Sequence, residues 1–432
     1  RPAAGFFPLS MRFPMNALSS RGANAIAIGP RSPEERSRAS SIFAAGGVLL
    51  PLLESGDTIT SGHLRAILTT EFGGSDAEGY WSWKDAYEAT EAAQVLFLRK
   101  FGSAISARTN MPEAALSILT RLAALNPTHT RRSEETQRLQ QFSTPVELAY
   151  VAARAASIMA DDVLLEPSAG TGLMAIFGEL AHARLVLNEY APVRHSLLEH
   201  LFPGTPVTHH DAAHLDDYLD RVARPTVVLM NPPFSAGVHV EGRMADAAWR
   251  HLTSAFARLA PGGRLVAITG SSLSPDNPKW RDAFVRLQER GTVAFSAAIA
   301  GNVFARHGTT METRLTVIDK IAATDPTKLV ESRGVAPNLT TLLSWISGLP
   351  PRSPSTASNS IGALSNGILR ACAAKMAARK AAETLRPAAV TGLRSRPGLS
   401  SRALNRRALA PAPVHDEIVE LAYELRDAPP ST

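Results

Sequence analysis

Asn231-Pro232-Pro233-Phe234 carries the most specific chemistry in this sequence. It ends the apolar run Val227-Val228-Leu229-Met230, which reads as a buried strand. Two consecutive prolines fix the backbone and cannot continue a sheet. They would present Asn231 and Phe234 rigidly at the strand end. A Pro-Pro turn that merely closes a strand is the blander alternative. The residue types suit a planar amine acceptor, a poor nucleophile because its lone pair is delocalised. The side-chain oxygen of Asn231 and the carbonyl of Pro232 can accept the amine's two hydrogens. That favours a pyramidal nitrogen with its lone pair aimed at an electrophile, while Phe234 can stack on the attached ring. Such catalysis is positioning and electrostatics, and needs neither a metal nor a covalent nucleophile.

Upstream, Leu164-Leu165-Glu166-Pro167-Ser168-Ala169-Gly170-Thr171-Gly172 follows one strand and opens a helix. Ligands of open parallel sheets sit at the carboxyl ends of the strands. Small residues let the backbone approach a ligand, and Glu166 can receive a cationic or hydroxyl group. Alone, Gly170-Thr171-Gly172 could be a plain tight turn. The next strand, Arg184–Leu187, ends at Asn188-Glu189. An acid roughly 20 residues after the glycines suits the hydroxyls of a ribose; an exposed strand-end Glu is the alternative. Thr208-His209-His210-Asp211-Ala212 ends a third run, and Asp211 could accept from an adenine amine. His209, His210, Asp211 and His214 could also suggest a metal, but nothing else supplies ligands at a diagnostic spacing, so no metal is expected.

Gln141-Phe142-Ser143-Thr144-Pro145 lies shortly before the first strand and opens a helix at Val146–Met159. Thr as a helix cap and Pro in the first turn would account for these types without any ligand.

Taken in order, these residues resemble the class I S-adenosylmethionine-dependent methyltransferases. The resemblance implies that Glu166, Pro167, Ala169, Gly170 and Gly172 lie against the methionine part of the cofactor. It places Glu189 on the ribose, and Asp211 with Ala212 at the adenine. The tetrapeptide matches the Asn/Asp-Pro-Pro-Tyr/Phe signature of amino methyltransferases, most of which act on adenine N6, some on cytosine N4 and some on protein glutamine. Phe142, Thr144 and Pro145 resemble the Phe-x-Thr-Pro segment of restriction–modification adenine-N6 DNA methyltransferases, where it closes over the cofactor. Asn231, Pro232, Pro233 and Phe234 are then the catalytic set, acting on an extruded base. Phe304 matches a neighbourhood where related enzymes carry a base-holding aromatic; a core Phe is the alternative. The Glu-Pro-Ser turn departs mildly from the commoner Asp-Pro-Ala or Asp-Pro-Cys.

These residues need an α/β scaffold. Alternation of short apolar runs with helical stretches over about 160–320 implies a Rossmann-like domain with a mainly parallel sheet, seven-stranded by the resemblance. The motif residues span about 135–320. We expect a leader over 1–32, a helical domain over 33–142, the methyltransferase domain over 143–325, and a helical, basic, linker-like region over 326–432. Ser32-Pro33-Glu34-Glu35 is a strong helix start, and further helices are expected around 60–72, 82–101, 111–125 and 133–141. Pro350-Pro351-Arg352-Ser353-Pro354 reads as a linker, with helices near 337–347, 361–385 and 414–426. Trp81 and Trp83 read as packing residues and His307 as a loop residue.

The 432 residues allow two or three domains. One cysteine, Cys372, excludes a disulfide framework and any cysteine-rich zinc site, and fits a cytoplasmic setting. No apolar run is long enough to span a membrane. No Gly-Lys-Ser/Thr phosphate loop occurs, so no ATPase is expected. The net charge is +6, and between Arg370 and Arg407 basic residues greatly outnumber the single acid Glu383. That stretch could bind phosphates or be a solvated linker. The chain begins at Arg1 rather than Met, so it could be a fragment. More loosely, the whole resembles the front part of bacterial or phage strawberry-notch-type methyltransferase–helicase fusions, whose helicase would lie beyond Thr432. The expected activity is methylation of adenine N6 in DNA. Methylation of RNA or protein glutamine, and a catalytically silent nucleic-acid clamp, are the alternatives.

Overall fold

Ser32 caps the first helix as its neighbours predict. Its hydroxyl accepts from the Glu35 N–H at 3.1 Å, and the Glu35 carboxylate accepts from the Ser32 N–H at 2.7 Å. The computed structural model describes residues 32–108, 111–129, 142–220, 224–233 and 246–352. The leader to residue 31, the expected helices at 133–141, 361–385 and 414–426, the basic stretch and Phe234 lie outside them.

Helices α1 (Pro33–Glu54), α2 (Ser61–Phe72), α3 (Trp83–Arg108) and α4 (Pro112–Ala124) form a helical layer. Trp81 is buried there, with Trp83 edge-on at 5.7 Å, as packing residues would be. On α3, Asp85, Glu88, Glu91 and Gln94 are all buried. Their three-residue spacing puts them on one face. Buried acids need partners: Asp85 pairs with Arg38 of α1, while Glu88 and Glu91 find theirs in the α/β part.

The α/β part begins with α5 (Val146–Ala156). Its chain order continues as β1 (Val163–Glu166), α6 (Ala175–Leu180), β2 (Arg184–Asn188), α7 (Pro192–Leu201), β3 (Val207–Thr208), α8 (Leu215–Tyr218), β4 (Val227–Met230), α9 (Asp246–Arg258), β5 (Arg264–Gly270), α10 (Pro278–Gln288), β6 (Thr292–Ile299), β7 (Thr313–Asp319), β8 (Val335–Ala336) and α11 (Leu339–Ile346). The sheet order is β3-β2-β1-β4-β5-β7-β6-β8. β1 to β5 are mutually parallel, and β7 runs antiparallel to both β5 and β6. This is a Rossmann-like α/β architecture with a mainly parallel sheet. It has eight strands where seven were expected, because β8 adds a two-residue parallel edge to β6.

Alternation along the strands divides the core between the two faces. Leu164, Leu229, Val266 and Ile268 join a cluster that also contains the cores of α1, α3, α4 and α5. Leu165, Val228, Met230 and Leu265 face α9 and α10 instead. Thus the helical layer and one sheet face share a continuous apolar core. The Pro350-Pro351-Arg352 stretch, which reads as a linker, is docked. The Pro350 carbonyl accepts from Arg264 Nη2 at 3.0 Å, and buried Arg352 pairs with Asp162. A buried guanidinium requires such a partner, which composition alone does not reveal. Among the described residues, no helix is long and apolar enough to cross a membrane.

Candidate active site

The strand order reverses between β1 and β4, which leaves a crevice beyond their carboxyl ends. A cavity of about 250 Å³ lies there. Phe142, Thr144, Glu166, Ala169, Gly170, Glu189, Asp211, Ala212, Asn231 and Pro233 all line it. Ten positions chosen from five separate sequence segments therefore share one cavity.

Asn231 follows β4 directly. Its Nδ2 donates to the Phe142 carbonyl at 3.3 Å and to Thr144 Oγ1 at 2.9 Å. A carbonyl can only accept, so the Phe142 contact fixes which end of the amide is which. Asn231 Oδ1 is left buried with no hydrogen-bond partner. An unpartnered buried acceptor is costly, and it points to a ligand that donates. Thr144 is not the cap of α5: Pro145 stands at the N-cap, without a side-chain bond. The threonine hydroxyl is instead engaged by Asn231.

Asn188 joins three strand ends. Its Nδ2 donates to the carbonyls of Pro167 (2.8 Å) and His210 (2.9 Å), and its Oδ1 accepts from Thr208 Oγ1 and the His210 N–H. Glu189 accepts from the N–H groups of Gly170 (2.7 Å) and Ala191 (2.8 Å), tying the glycine turn to the end of β2. Burial raises its carboxyl above the ordinary range, and Arg194 opposes that. Asp211 caps the 3-10 helix Ala212–His214 through the Ala213 N–H at 2.9 Å.

Glu166 is 1% exposed, and its Oε2 has no partner. Burial pushes this carboxyl well above the usual carboxylate range; a bond from the Ala175 N–H lowers it, and Glu189 raises it further. A cation or donor arriving at Oε2 would relieve that desolvation.

The glycine turn needs its glycines. Gly170 and Gly172 have φ of 56° and 82°. A Cβ on Gly172 would lie 2.3 Å from Phe202, whereas one on Gly170 meets nothing closer than 3.8 Å. Gly172 therefore serves close packing, and it does not line the cavity. Left-handed backbone plus overpacking predicts that Gly172→Ala loses about 2 kcal/mol or more of stability. Urea unfolding would measure it, and a midpoint equal to that of Gly170→Ala would contradict the clash.

Two cavity partners escape the sequence motifs. Arg194 on α7 lines the cavity at 6% exposure and donates from Nε to Glu88 at 2.6 Å. Among the described residues its Nη groups make no hydrogen bond, which leaves them for a ligand. Glu91 Oε2 accepts from the hydroxyls of Ser143 and Thr171, both at 2.8 Å. It clamps the Phe142–Pro145 segment to the glycine turn. The only signal was the three-residue acidic spacing on α3, which looks like an ordinary polar helix face.

Pro145, Pro167 and Pro232 stand beside the cavity in sequence but do not line it. Phe304 is 0% exposed and packs in the core, so it is shut off from the cavity; the core alternative describes its place. His209 contacts the Tyr190 carbonyl at 2.7 Å and His210 stacks on Tyr218. Among the described residues, these histidines, Asp211 and His214 do not converge as a metal-ligand group.

No family model matches this chain, and no curated protein matches it. Solved structures do. A modification subunit provisionally assigned to a type I restriction enzyme from Vibrio vulnificus is 17% identical, over 49% of this chain and 51% of that one, with a TM-score of 0.36. This chain thus spans about half the length of that protein. A provisionally assigned RNA methyltransferase from Pyrococcus horikoshii is 18% identical, over 48% and 98%, with a TM-score of 0.36. A provisionally assigned class I S-adenosylmethionine-dependent methyltransferase from Listeria monocytogenes is 12% identical, over 73% and 98%, with a TM-score of 0.40. At these identities and TM-scores, none of them assigns a substrate to this chain.

Proposed function

We propose that this chain transfers a methyl group from S-adenosylmethionine to the N6 amine of adenine in DNA. The observation that carries the reading is Asn231: its Nδ2 is held by Phe142 and Thr144, and its buried Oδ1 has no partner. An amine hydrogen is the partner that the motif leads us to put there.

The residues fit the cofactor. Glu166 Oε2 would receive the ammonium group and Arg194 the carboxylate of its amino-acid end. Glu189 would take ribose hydroxyls, and Asp211 the adenine amine. When bound, S-adenosylmethionine supplies an electrophilic methyl on a sulfonium. Asn231 Oδ1, on the cavity wall, accepts one hydrogen of the target amine, and the motif assigns the other to the Pro232 carbonyl, which follows it directly. That concentrates the nitrogen lone pair and directs it across the cavity. Phe234 stacks on the base in this reading. The preorganised acceptors provide the electrostatic part of the catalysis. The Phe142–Pro145 segment and the basic stretch between Arg370 and Arg407 favour nucleic acid as the partner. The helical layer followed by this α/β part resembles, more loosely, the front part of methyltransferase–helicase fusions, and we infer such a setting for the chain.

Labelled S-adenosylmethionine offered with DNA, RNA and protein in parallel tests the acceptor class. Label should enter DNA; label confined to RNA or protein would overturn the DNA assignment. The cofactor assignment has its own test. A cation at Glu166 favours the ionised carboxylate, so the raised pKa of the empty site falls on binding and a proton is released. Calorimetry in buffers of different ionisation enthalpy should show this release in the wild type and its loss in Glu166→Gln. Equal release from both would remove Glu166 from the ammonium site.

A further inference from the structure

Glu91 on α3, His129 beyond α4, and His307 at the end of the 3-10 helix Gly301–His307 meet beside the active site. Each offers one ligand atom, and these atoms all lie within 4.8 Å of one another. None of the three hydrogen-bonds another. A zinc-class ion holds its N and O ligands at about 2.1 Å, so donor atoms around it sit roughly 3.4 Å apart. Side-chain shifts of about 1 Å would bring these three atoms to that spacing.

The surroundings are built for a bridging cation. Glu91 Oε2 accepts from Ser143 and Thr171, which leaves Oε1 for a further partner. Hydroxyls donating to a carboxylate are the outer-sphere support that orients a metal ligand. His307 Nδ1 is buried with no partner. His129 stacks on Tyr87 at 4.1 Å and lies 4.8 Å from the His307 ring, so its plane is fixed. The His129 N–H donates to the Arg306 carbonyl at 2.7 Å, and Arg306 Nη1 donates to the Asn126 carbonyl at 3.2 Å, clipping the two segments together. A neutral imidazole is the form that coordinates metals. Arg194 opposes a cation here, but it is paired with buried Glu88.

We propose that Glu91, His129 and His307 bind a divalent transition cation, which staples α3 to the segment that follows α4 and to the 3-10 helix carrying Phe304. Two imidazoles and a carboxylate suit zinc and its neighbours, and leave a coordination position for water. None of the three ligands lines the methyl-transfer cavity, and the proposal does not depend on that assignment.

The test uses the full chain, stripped by a chelator and then titrated with Zn²⁺ and Co²⁺. Expected results are one tightly held ion per chain by elemental analysis, a rise in melting temperature reversed by chelator, and visible Co²⁺ absorption. His129→Asn and His307→Asn should each weaken binding by roughly a hundredfold, at least the upper end of what loss of an outer-sphere partner costs. Circular dichroism of the metal-free variants identifies any that fail to fold; for these, Gln replaces Asn. A His209→Ala, His210→Ala double variant should bind normally. The proposal is overturned if the stripped wild type takes up no stoichiometric ion. It is equally overturned if folded His129 and His307 variants bind like the wild type, or if binding is lost only in the His209, His210 pair.

Discussion

Asn231→Ala is expected to lower methyl transfer to adenine-containing DNA by roughly 10²–10³-fold, the usual effect of removing one preorganised polar group from a transition-state site. Binding of S-adenosylmethionine should be nearly unchanged, because Asn231 makes no hydrogen bond to Glu166, Glu189, Arg194 or Asp211, the groups assigned to it. The Asp variant sharpens the point. Asn231→Asp keeps an acceptor oxygen, but it loses the donor that faces the Phe142 carbonyl. A carboxylate oxygen against that carbonyl is repulsive, so the side chain should rotate and the rate should fall as well. Calorimetric affinity and single-turnover rates separate the two effects. Wild-type rates in Asn231→Ala would remove the residue from the chemistry, and a rate loss tracked fully by lost cofactor affinity would make it a binding residue.

Glu88→Ala is expected to carry the largest stability loss. Glu88 and Arg194 are both nearly inaccessible, and Lys84 lies 3.3 Å from the same carboxylate. Burial opposes the charged carboxylate, yet Lys84 and Arg194 hold its pKa below the ordinary value. Removing one partner of a buried pair strands the other charge, at about 3–5 kcal/mol. Glu189 and Glu91 also attract Arg194, so the lower end applies. Replacing both partners, as in Glu88→Met with Arg194→Met, should destabilise less than Glu88→Ala alone. Denaturant unfolding reads all of these. A Glu88→Ala midpoint within error of the wild type would mean that Arg194 finds another acid or water.

The α/β core was legible because its signals are local. Apolar runs at 163–165, 184–187, 226–230 and 264–269 became adjacent parallel strands, and the turns between them supplied the cavity. The Asn231 turn was legible because two prolines in a row have few other uses at a strand end. What escaped was nonlocal. Glu88, Glu91 and Arg194 act through partners far away in sequence, and a spacing of three on a helix cannot say whether the face is solvated or buried. β8 has two residues, too few for a periodicity. Phe304 shows the limit of residue type: an aromatic that stacks on a base and one that fills a core read alike. Thr144 reads as a cap, but Pro145 holds that position and the threonine hydroxyl serves Asn231, a contact that only the tertiary fold creates.

The central claim is that Asn231 and Pro232 activate the N6 amine of adenine in DNA. Nucleoside analysis of DNA after incubation with isotopically labelled S-adenosylmethionine tests it most directly. Label recovered as N6-methyladenine with the wild type, and absent with Asn231→Ala, is the predicted result. Label in another nucleoside, or N6-methyladenine formed equally by the Asn231→Ala protein, would contradict it.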